Sequence, residues 1–155
     1  MNRSRENGKD RCRTRIAVYL IGLRGNTILL AKRHNTGHMD GYWSLVAGHV
    51  HEGESCRQAI IREMHEECGL ILTSPEVHLI GAMHHNSHPF DYINFVFSAD
   101  LTQHAPKNME PSKCAALEFF DLTQLPVPMA EYIKEIIIKS TGLKQPWISE
   151  FGWEK

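Results

Sequence analysis

Three glutamates stand close together near the middle of the chain, at Glu63, Glu66 and Glu67. In a helix, the i, i+3 and i+4 spacing brings their carboxylates onto neighbouring positions of one surface. Like charges at that spacing repel and destabilise a helix, whereas a divalent cation would reverse the sign of the interaction. Hard cations such as Mg²⁺ prefer oxygen ligands and share them with substrate phosphates. The cluster therefore indicates a metal site, with a solvated acidic helix face as the alternative.

The residues on either side of the glutamates also fall at fixed positions. Gly48 is followed after five residues by Glu54 and after seven more by Arg62, and Gly69 closes the segment. In this register the segment resembles the Nudix box of the MutT-related hydrolases. Met64 stands where a branched aliphatic residue is usual, and it keeps the position apolar. The resemblance implies a Nudix-type α/β/α sandwich with a mixed β-sheet, in which the box helix packs on one sheet face.

The resemblance also implies roles for individual residues. Glu66 and Glu67 would be the principal metal ligands, and Glu63 would be a further ligand or the base that takes a proton from the attacking water. Arg62 would take part in catalysis by orienting Glu63 through a charge-assisted pair. The backbone carbonyl of Ala47 would be another metal ligand. The implied cofactor is Mg²⁺, with Mn²⁺ as a substitute.

Four other residues of the box are predicted to shape its structure, and for one of them, Glu54, a catalytic role is an alternative. A carboxylate at Glu54 would be stabilised by the free N–H groups at the start of the helix, so its capping and catalytic roles both stay open. Gly48 is predicted to permit a turn that brings backbone carbonyls near the metal. Gly53 is predicted to serve a turn, and Gly69 to end the helix at its C-cap.

Two loops outside the box carry further candidates. Glu110 precedes a predicted strand, and the resemblance implies that an acidic residue from this region reaches the metal; an ordinary loop glutamate is the alternative. The loop over residues 33–40 has donors suited to phosphate or base contact, so Arg33 and Asn35 are candidate substrate-binding residues.

Histidine and aromatic residues invite other interpretations. His84, His85 and His88 could suggest zinc. They fall in a predicted loop and not on a helix, and no cysteine stands at ligand spacing, so solvated or packed histidines are favoured. The aromatic residues of segment 147–153 could stack on a base or close the edge of the core.

Apolar periodicity and turn residues predict the elements around the box. A tight turn joins the first two strands, Gly69 ends the box helix, and a His/Pro-rich loop lies between the fourth and fifth strands. The helix that precedes Gly69 should present Ile60, Met64 and Cys68 as an apolar ridge. The predicted strands are 16–22, 27–32, 42–46, 76–83, 92–99 and 115–121, and a second helix covers 129–139. The carboxyl-terminal residues have no assigned element.

The whole chain has the length and composition of one globular domain. It has 155 residues, of which 42% are hydrophobic and 23% charged, and its formal net charge is −1. That charge gives no general attraction to nucleic acid or to anionic membranes, so neither partner is expected. Four cysteines without a CxxC pair indicate reduced thiols and a cytoplasmic location. Residues 1–13 are predicted to be a flexible leader before a single domain over 14–155, and monomer and homodimer both stay open.

The leading functional prediction is Mg²⁺-dependent hydrolysis of a phosphoanhydride bond in a nucleoside diphosphate-linked substrate. The ADP-ribose and dinucleotide branches of the family tend to carry a proline or tyrosine about sixteen residues beyond the box. Here that neighbourhood is His85, Asn86 and Ser87. A nucleoside triphosphate, including an oxidised one, is therefore the favoured substrate.

Three alternatives stay open beside this prediction. One is a hydrolase of nucleotide sugars or dinucleotides, and another is a catalytically silent nucleotide-binding or sensor module with the same fold. The third is an isomerase of an isopentenyl-type diphosphate, which would require a cysteine in the pocket. Cys56 and Cys68 are predicted to lie on the apolar ridge of the box helix, which disfavours the isomerase.

Overall fold

The computed structural model describes residues 12–143 and 146–153. Most of the predicted leader, residues 1–11, lies outside the described residues. A short 3₁₀ turn, Ser74–Glu76, follows the first helix. The strands and α-helices of the described part are, in chain order, β1 (Thr14–Arg24), β2 (Thr27–Arg33), β3 (Trp43–Ser44), β4 (Val46–His49), α1 (Cys56–Cys68), β5 (His78–Ser87), β6 (Phe90–Asp100), β7 (Cys114–Asp121), α2 (Glu131–Gly142) and β8 (Trp147–Phe151).

The strands form one mixed sheet around β1, with the order β3-β2-β1-β6-β5-β8. β1 pairs in parallel with β6 along its length, from Thr14 opposite Asp91 to Leu23 opposite Asp100. On its other side β1 divides its pairing, because β4 takes residues 17–20 and β2 takes the end of the strand. β7 pairs with β2, and β8 extends the far edge by pairing in parallel with β5. The predicted mixed sheet is confirmed.

Alternation along β1 separates two apolar cores, one on each face of the sheet. Val18 and Leu20 face a core that contains the α1 ridge of Ile60, Met64 and Cys68, all 1% exposed or less. The intervening residues of β1 face a second core that contains Ile133, Ile136 and Ile137 of α2. The helices thus cover opposite faces of the sheet, as the sandwich prediction requires.

Helix α1 has well-defined ends. Ser55 is its N-cap, and its side chain and backbone exchange hydrogen bonds with Gln58 at 3.2 and 2.9 Å in a capping box. Gly69 ends the helix with φ at 63°, as predicted, and the following N–H of Leu70 donates to the carbonyl of Met64. The chain is thereby turned sharply out of the helix.

One prediction of secondary structure is wrong, and one segment without an assigned element forms a strand. The His/Pro-rich loop is mostly strand, because β5 continues to Ser87 and β6 begins at Phe90. The histidines there are held by ring contacts: His84 lies 4.4 Å from Trp153 and His85 lies 4.4 Å from Tyr132, between ring centroids. The unassigned carboxyl-terminal segment forms β8. Neither helix in the described ranges is long and apolar enough to cross a membrane.

Candidate active site

Arg62 organises the carboxylates at the solvent side of α1. Its guanidinium makes a two-point contact with Glu54 at 2.7 and 3.0 Å, and donates to Glu63 at 2.8 Å and Glu66 at 3.2 Å. A further bond reaches the carbonyl of His49 at 3.0 Å, which ties the helix to β4. The hydrogen bonds from Arg62 lower the pKa of Glu54 to about 2. One cation therefore serves three carboxylates, and the cluster keeps an excess of negative charge.

Glu54 does not cap α1. Ser55 takes that position, and the second oxygen of Glu54 accepts from the backbone N–H of His51 at 3.0 Å as well as from Arg62. Of the two readings of Glu54, the capping one is wrong.

Glu63 lies against the backbone of β4 and is only 8% exposed. A Cβ atom added at Gly48 would stand 1.9 Å from the Cδ of Glu63, so no larger residue fits there without moving the carboxylate. The predicted turn at Gly48 is wrong, because this residue belongs to strand β4 and the glycine is needed for close approach. Gly53, with φ at 79°, does occupy a turn, as predicted.

Glu67 lines a cavity of about 180 Å³, here called the carboxylate cavity. The cavity is also lined by Glu110 and by three basic residues, Lys32, Arg33 and Lys113. It therefore has two acidic and three basic side chains. Ala47 of β4 forms another part of the wall. The structure thus brings together Glu67, Glu110, Arg33 and Ala47, four residues that the sequence singled out separately.

The loop before β7 reaches the carboxylate cavity because its backbone is bonded to the end of α1. The N–H groups of Lys107 and Met109 donate to the carbonyls of Cys68 and Glu67 at 2.9 and 3.0 Å. These are carbonyls that the helix itself leaves without partners. The next residue along the loop is Glu110, which is therefore placed beside Glu67.

Electrostatics make Glu67 unlike the other box glutamates. Burial, followed by the charges of Glu63 and Glu110, raises its pKa to about 8, although Arg33 and Lys113 act in the opposite direction. In the metal-free protein this carboxyl therefore holds a proton near neutral pH. A bound cation would favour the ionised form of Glu67.

A second cavity of about 310 Å³ adjoins the first and shares Arg33 and Ala47 with it. We call it the aromatic cavity. Its rings include Tyr19, Tyr92, Tyr132, His49 and His85. Burial raises the pKa of the Tyr19 and Tyr132 hydroxyls and lowers the pKa of His85, which favours the neutral imidazole. This cavity has the flat apolar walls that bind planar rings.

The donor set suits a hard divalent cation. No three His, Cys, Asp or Glu side chains of the described residues are arranged to hold a metal ion as they stand. The reason is visible in the contacts, because Arg62 holds Glu63 and Glu66 while Glu67 turns towards Glu110. The available atoms are nonetheless carboxylate and carbonyl oxygens with excess negative charge, which are the donors that Mg²⁺ and Mn²⁺ select.

Residues 13–139 match the model of the NUDIX domain. This chain belongs to the NUDIX family. The match covers most of the chain, from the start of β1 to α2.

Curated NUDIX relatives differ in the substrates that their names give. An ADP-ribose pyrophosphatase of Methanocaldococcus jannaschii is 38% identical over 116 residues, which are 72% of this chain and 64% of that protein. An 8-oxo-dGTP diphosphatase of Proteus vulgaris is 33% identical over 64 residues, or 41% of this chain and 57% of that protein. An NAD-capped RNA hydrolase of Vibrio atlanticus is 24% identical over 122 residues, 76% and 42%. The chain thus spans 42% to 64% of the length of these relatives.

Solved NUDIX structures agree with the fold. A MutT NUDIX hydrolase from Burkholderia pseudomallei superposes with a TM-score of 0.75 at 27% identity, covering 83% of this chain and 98% of that one. The NUDIX domain of Shewanella oneidensis NrtR, solved with ADP ribose, superposes with a TM-score of 0.68 at 19% identity, covering 86% and 90%. These likenesses establish the α/β architecture.

Other candidates lie elsewhere. Asn35 lines neither cavity; its side chain contacts the ring of His34 at 2.9 Å, and its φ of 51° is one that asparagine tolerates. Trp147 is buried over Gly81 in the core, and Trp153 donates to the carbonyl of His84 at 3.0 Å. Of the two interpretations of the carboxyl-terminal aromatic residues, closing the edge of the core therefore applies to Trp147.

The cysteine argument against an isomerase needs correction. Cys68 does lie on the apolar ridge, but it also lines the carboxylate cavity, together with Cys114 of β7. Burial raises the pKa of Cys68 to about 12, so its thiol stays protonated. A cysteine is therefore present beside Glu67, and only a product assay separates the two chemistries.

Proposed function

We propose that this NUDIX protein hydrolyses a phosphoanhydride bond in a nucleoside diphosphate-linked substrate with the help of Mg²⁺, for which Mn²⁺ substitutes. The observation that carries the proposal is the meeting of Glu67 and Glu110 with Arg33 and Lys113 in one cavity. Acidic and basic side chains in the same cavity suit a metal-bound phosphate substrate, because the acidic groups would bind the cation and the basic groups the phosphates. The aromatic cavity next to it has room for the rest of a nucleotide.

Glu67, Glu66 and the carbonyl of Ala47 would hold the cation, with Glu63 and Glu110 as further oxygen donors. Such a cation polarises phosphoryl oxygens and lowers the pKa of a nearby water. The family resemblance supports Glu66 and Glu67 as the principal ligands. Burial beside Glu110 makes Glu67 the carboxyl whose ionised form gains most from a positive charge.

Glu63 would take a proton from the attacking water. Arg62 contacts its Oε1, while Oε2 has no hydrogen-bond partner among the described residues. The same guanidinium is held by Glu54 and by the carbonyl of His49, so Glu63 is fixed relative to β4 as well as α1. Arg33 and Lys113 would bind the phosphate chain. In this arrangement Arg62 positions the base and does not touch the substrate.

A nucleoside triphosphate is the first substrate class that we propose, since the segment beyond the box lacks the marks of the ADP-ribose and dinucleotide branches. The 38% identity to an ADP-ribose pyrophosphatase favours a second class, nucleoside diphosphates linked to a sugar. Both classes share the bond that is cleaved and the cavity that would hold the nucleoside.

The test is a substrate panel with Mg²⁺, with Mn²⁺ and with excess EDTA. It contains nucleoside triphosphates, ADP-ribose, a dinucleotide polyphosphate and isopentenyl diphosphate, and phosphate and pyrophosphate are measured separately. We expect metal-dependent turnover of at least one nucleotide. Full turnover in EDTA would contradict the metal mechanism. Nucleotide binding without turnover would support the sensor alternative, and conversion of isopentenyl diphosphate without pyrophosphate release would support the isomerase.

A further inference from the structure

Asn94 occupies an unusual position for a polar residue. It lies on β6 in the interior of the sheet, opposite Ala17 of β1 and Met83 of β5, and is 1% exposed. Neither its carboxamide oxygen nor its carboxamide nitrogen has a hydrogen-bond partner among the described residues. The same residue lines the aromatic cavity, between Tyr92 and the core.

An unpaired buried carboxamide destabilises a folded protein. Both of its polar atoms lose water on folding and gain no bond in return. The neighbouring position on the same face of β6 is Val96, and an apolar side chain at Asn94 would continue that core without the cost. Stability therefore gives no reason for an asparagine here, whereas a ligand in the cavity would.

The chemistry of the cavity defines the ligand. A carboxamide presents one acceptor beside two donors, so it pairs with a planar edge that carries a donor next to an acceptor. The rings of Tyr92, Tyr132 and His85 supply flat walls, and Arg33 opens onto the phosphate side. A heteroaromatic base joined to a phosphate chain meets all three conditions, whereas an isoprenoid chain or an inorganic polyphosphate has no edge for Asn94.

We infer that Asn94 is a specificity-determining residue that hydrogen-bonds the edge of the nucleobase in the aromatic cavity. This inference rests on the proposed function, because it assigns the part of the nucleotide that the carboxylate cavity does not hold. Asparagine pairs with a base edge through two hydrogen bonds, and such a pair discriminates strongly against bases with a different edge.

The experiment compares Asn94→Leu with Ser149→Ala. Ser149 of β8 also has a buried hydroxyl without a partner among the described residues, but it does not line the cavity. Both variants should be as stable as the wild type or more stable in thermal unfolding, since each removes an unsatisfied polar group. Only Asn94→Leu should change nucleotide recognition. Asn94→Ser, which keeps one hydrogen-bonding group, serves as a second variant should the leucine disturb the core.

Binding of the four nucleoside 5′-monophosphates is measured by calorimetry without metal, so the readout does not depend on turnover. We expect at least one base to bind the wild type and Ser149→Ala equally, and to bind Asn94→Leu roughly ten- to a hundredfold more weakly. Equal binding to all variants would overturn the inference. Failure of every monophosphate to bind the wild type would also overturn it.

Turnover of the four nucleoside triphosphates and of inorganic tripolyphosphate separates this inference from the proposed function. We expect Asn94→Leu to raise KM for the preferred base roughly tenfold or more and to leave kcat within about threefold. Metal-dependent turnover that ignores the base, and that accepts tripolyphosphate equally well, would keep the proposed function and reject the role of Asn94. Base-selective binding without any turnover would keep Asn94 and reject the hydrolysis.

Discussion

The carboxylate cavity and the aromatic cavity meet at Arg33 and Ala47, and they are assembled in different ways. Most acidic residues of the first region come from α1 and from a loop bonded to the end of that helix. The rings of the second come from β1, β4, β5, β6 and α2, which are spread over most of the sequence. Charged side chains are concentrated in the first region, and aromatic and imidazole rings in the second. Bond cleavage and ligand choice should therefore respond to different substitutions.

The largest effect is expected for Glu63→Gln, which removes the proposed base. Loss of general-base catalysis typically lowers the rate about 10² to 10⁴-fold. Binding of nucleoside monophosphates in the aromatic cavity should be unchanged, because Glu63 does not line that cavity. Single-turnover rates and metal titrations measure the two properties, with exposed Glu118→Gln as the control.

Two outcomes would revise the role of Glu63. Joint loss of turnover and of metal affinity would make it a metal ligand. Turnover at the wild-type rate would remove it from the mechanism.

Glu66→Gln and Glu67→Gln should each weaken metal binding and lower kcat on the order of a hundredfold or more. The unfolding temperature should change little or rise, because Glu66→Gln removes a charge near other carboxylates and Glu67→Gln replaces a buried carboxyl with a neutral amide of similar shape. Base preference should stay that of the wild type, which would separate the two cavities experimentally. The ligand assignment is wrong for whichever variant turns over normally.

Arg33→Met tests the wall that the two cavities share. Loss of a hydrogen bond from a charged donor should raise KM for every nucleotide roughly tenfold or more. Arg33 would contact the phosphates and not the edge of the base, so the ratios of kcat/KM between the four nucleotides should not change. Steady-state kinetics on the four triphosphates measure both quantities, with exposed Arg13→Met as the control. A variant that changes the base ratio would show that the cavities are not separable at this residue.

The smallest effect concerns the pH dependence of stability in EDTA. The pKa of Glu67 in the folded protein is about 8, above its ordinary value. The folded state therefore favours the protonated carboxyl. This contribution to the free energy of unfolding is complete at low pH and is lost as pH rises through the folded pKa. The unfolding temperature of the metal-free protein should fall by at most about 5 °C per pH unit between roughly pH 5 and pH 8.

The same series in Glu67→Gln should show a flatter pH profile, and Glu66→Gln should follow the wild type. Mg²⁺ should stabilise the wild type more at pH 8 than at pH 6. At pH 8 a smaller fraction of Glu67 is protonated, so fewer protons must leave when the metal binds. A wild-type profile that rises over this range would contradict the assigned direction.

The box helix and its ends could be predicted because their signals are local. Gly69 and the ridge of Ile60, Met64 and Cys68 depend only on helical spacing. Glu54 was harder to interpret, because its partner Arg62 lies eight positions further on and the helix supplies an equally good explanation at its start. Local patterns also misread the histidine segment, where ring contacts and strand pairing keep His85 inside the sheet.

The aromatic cavity could not be predicted from spacing, because its rings converge only when five elements pack. One signal was present: Asn94 is a polar residue at the position of β6 that alternates with Phe95 and shares its face with Val96. Its meaning depends on knowing that β6 is an inner strand covered on both faces. Asn35, by contrast, was chosen from its loop composition and lines neither cavity.

The loop that carries Glu110 is attached to α1 through main-chain atoms at Lys107 and Met109. Almost any amino acid can supply a backbone N–H, so exchanging these two side chains should leave Glu110 in place. Adding or deleting one residue between them would shift the register of the loop and carry the carboxylate away from Glu67. Over this stretch, relatives could diverge freely in residue type while preserving the number of residues. In such relatives, the residue equivalent to Glu110 would be found by counting residues from the box and not by the identity of its neighbours.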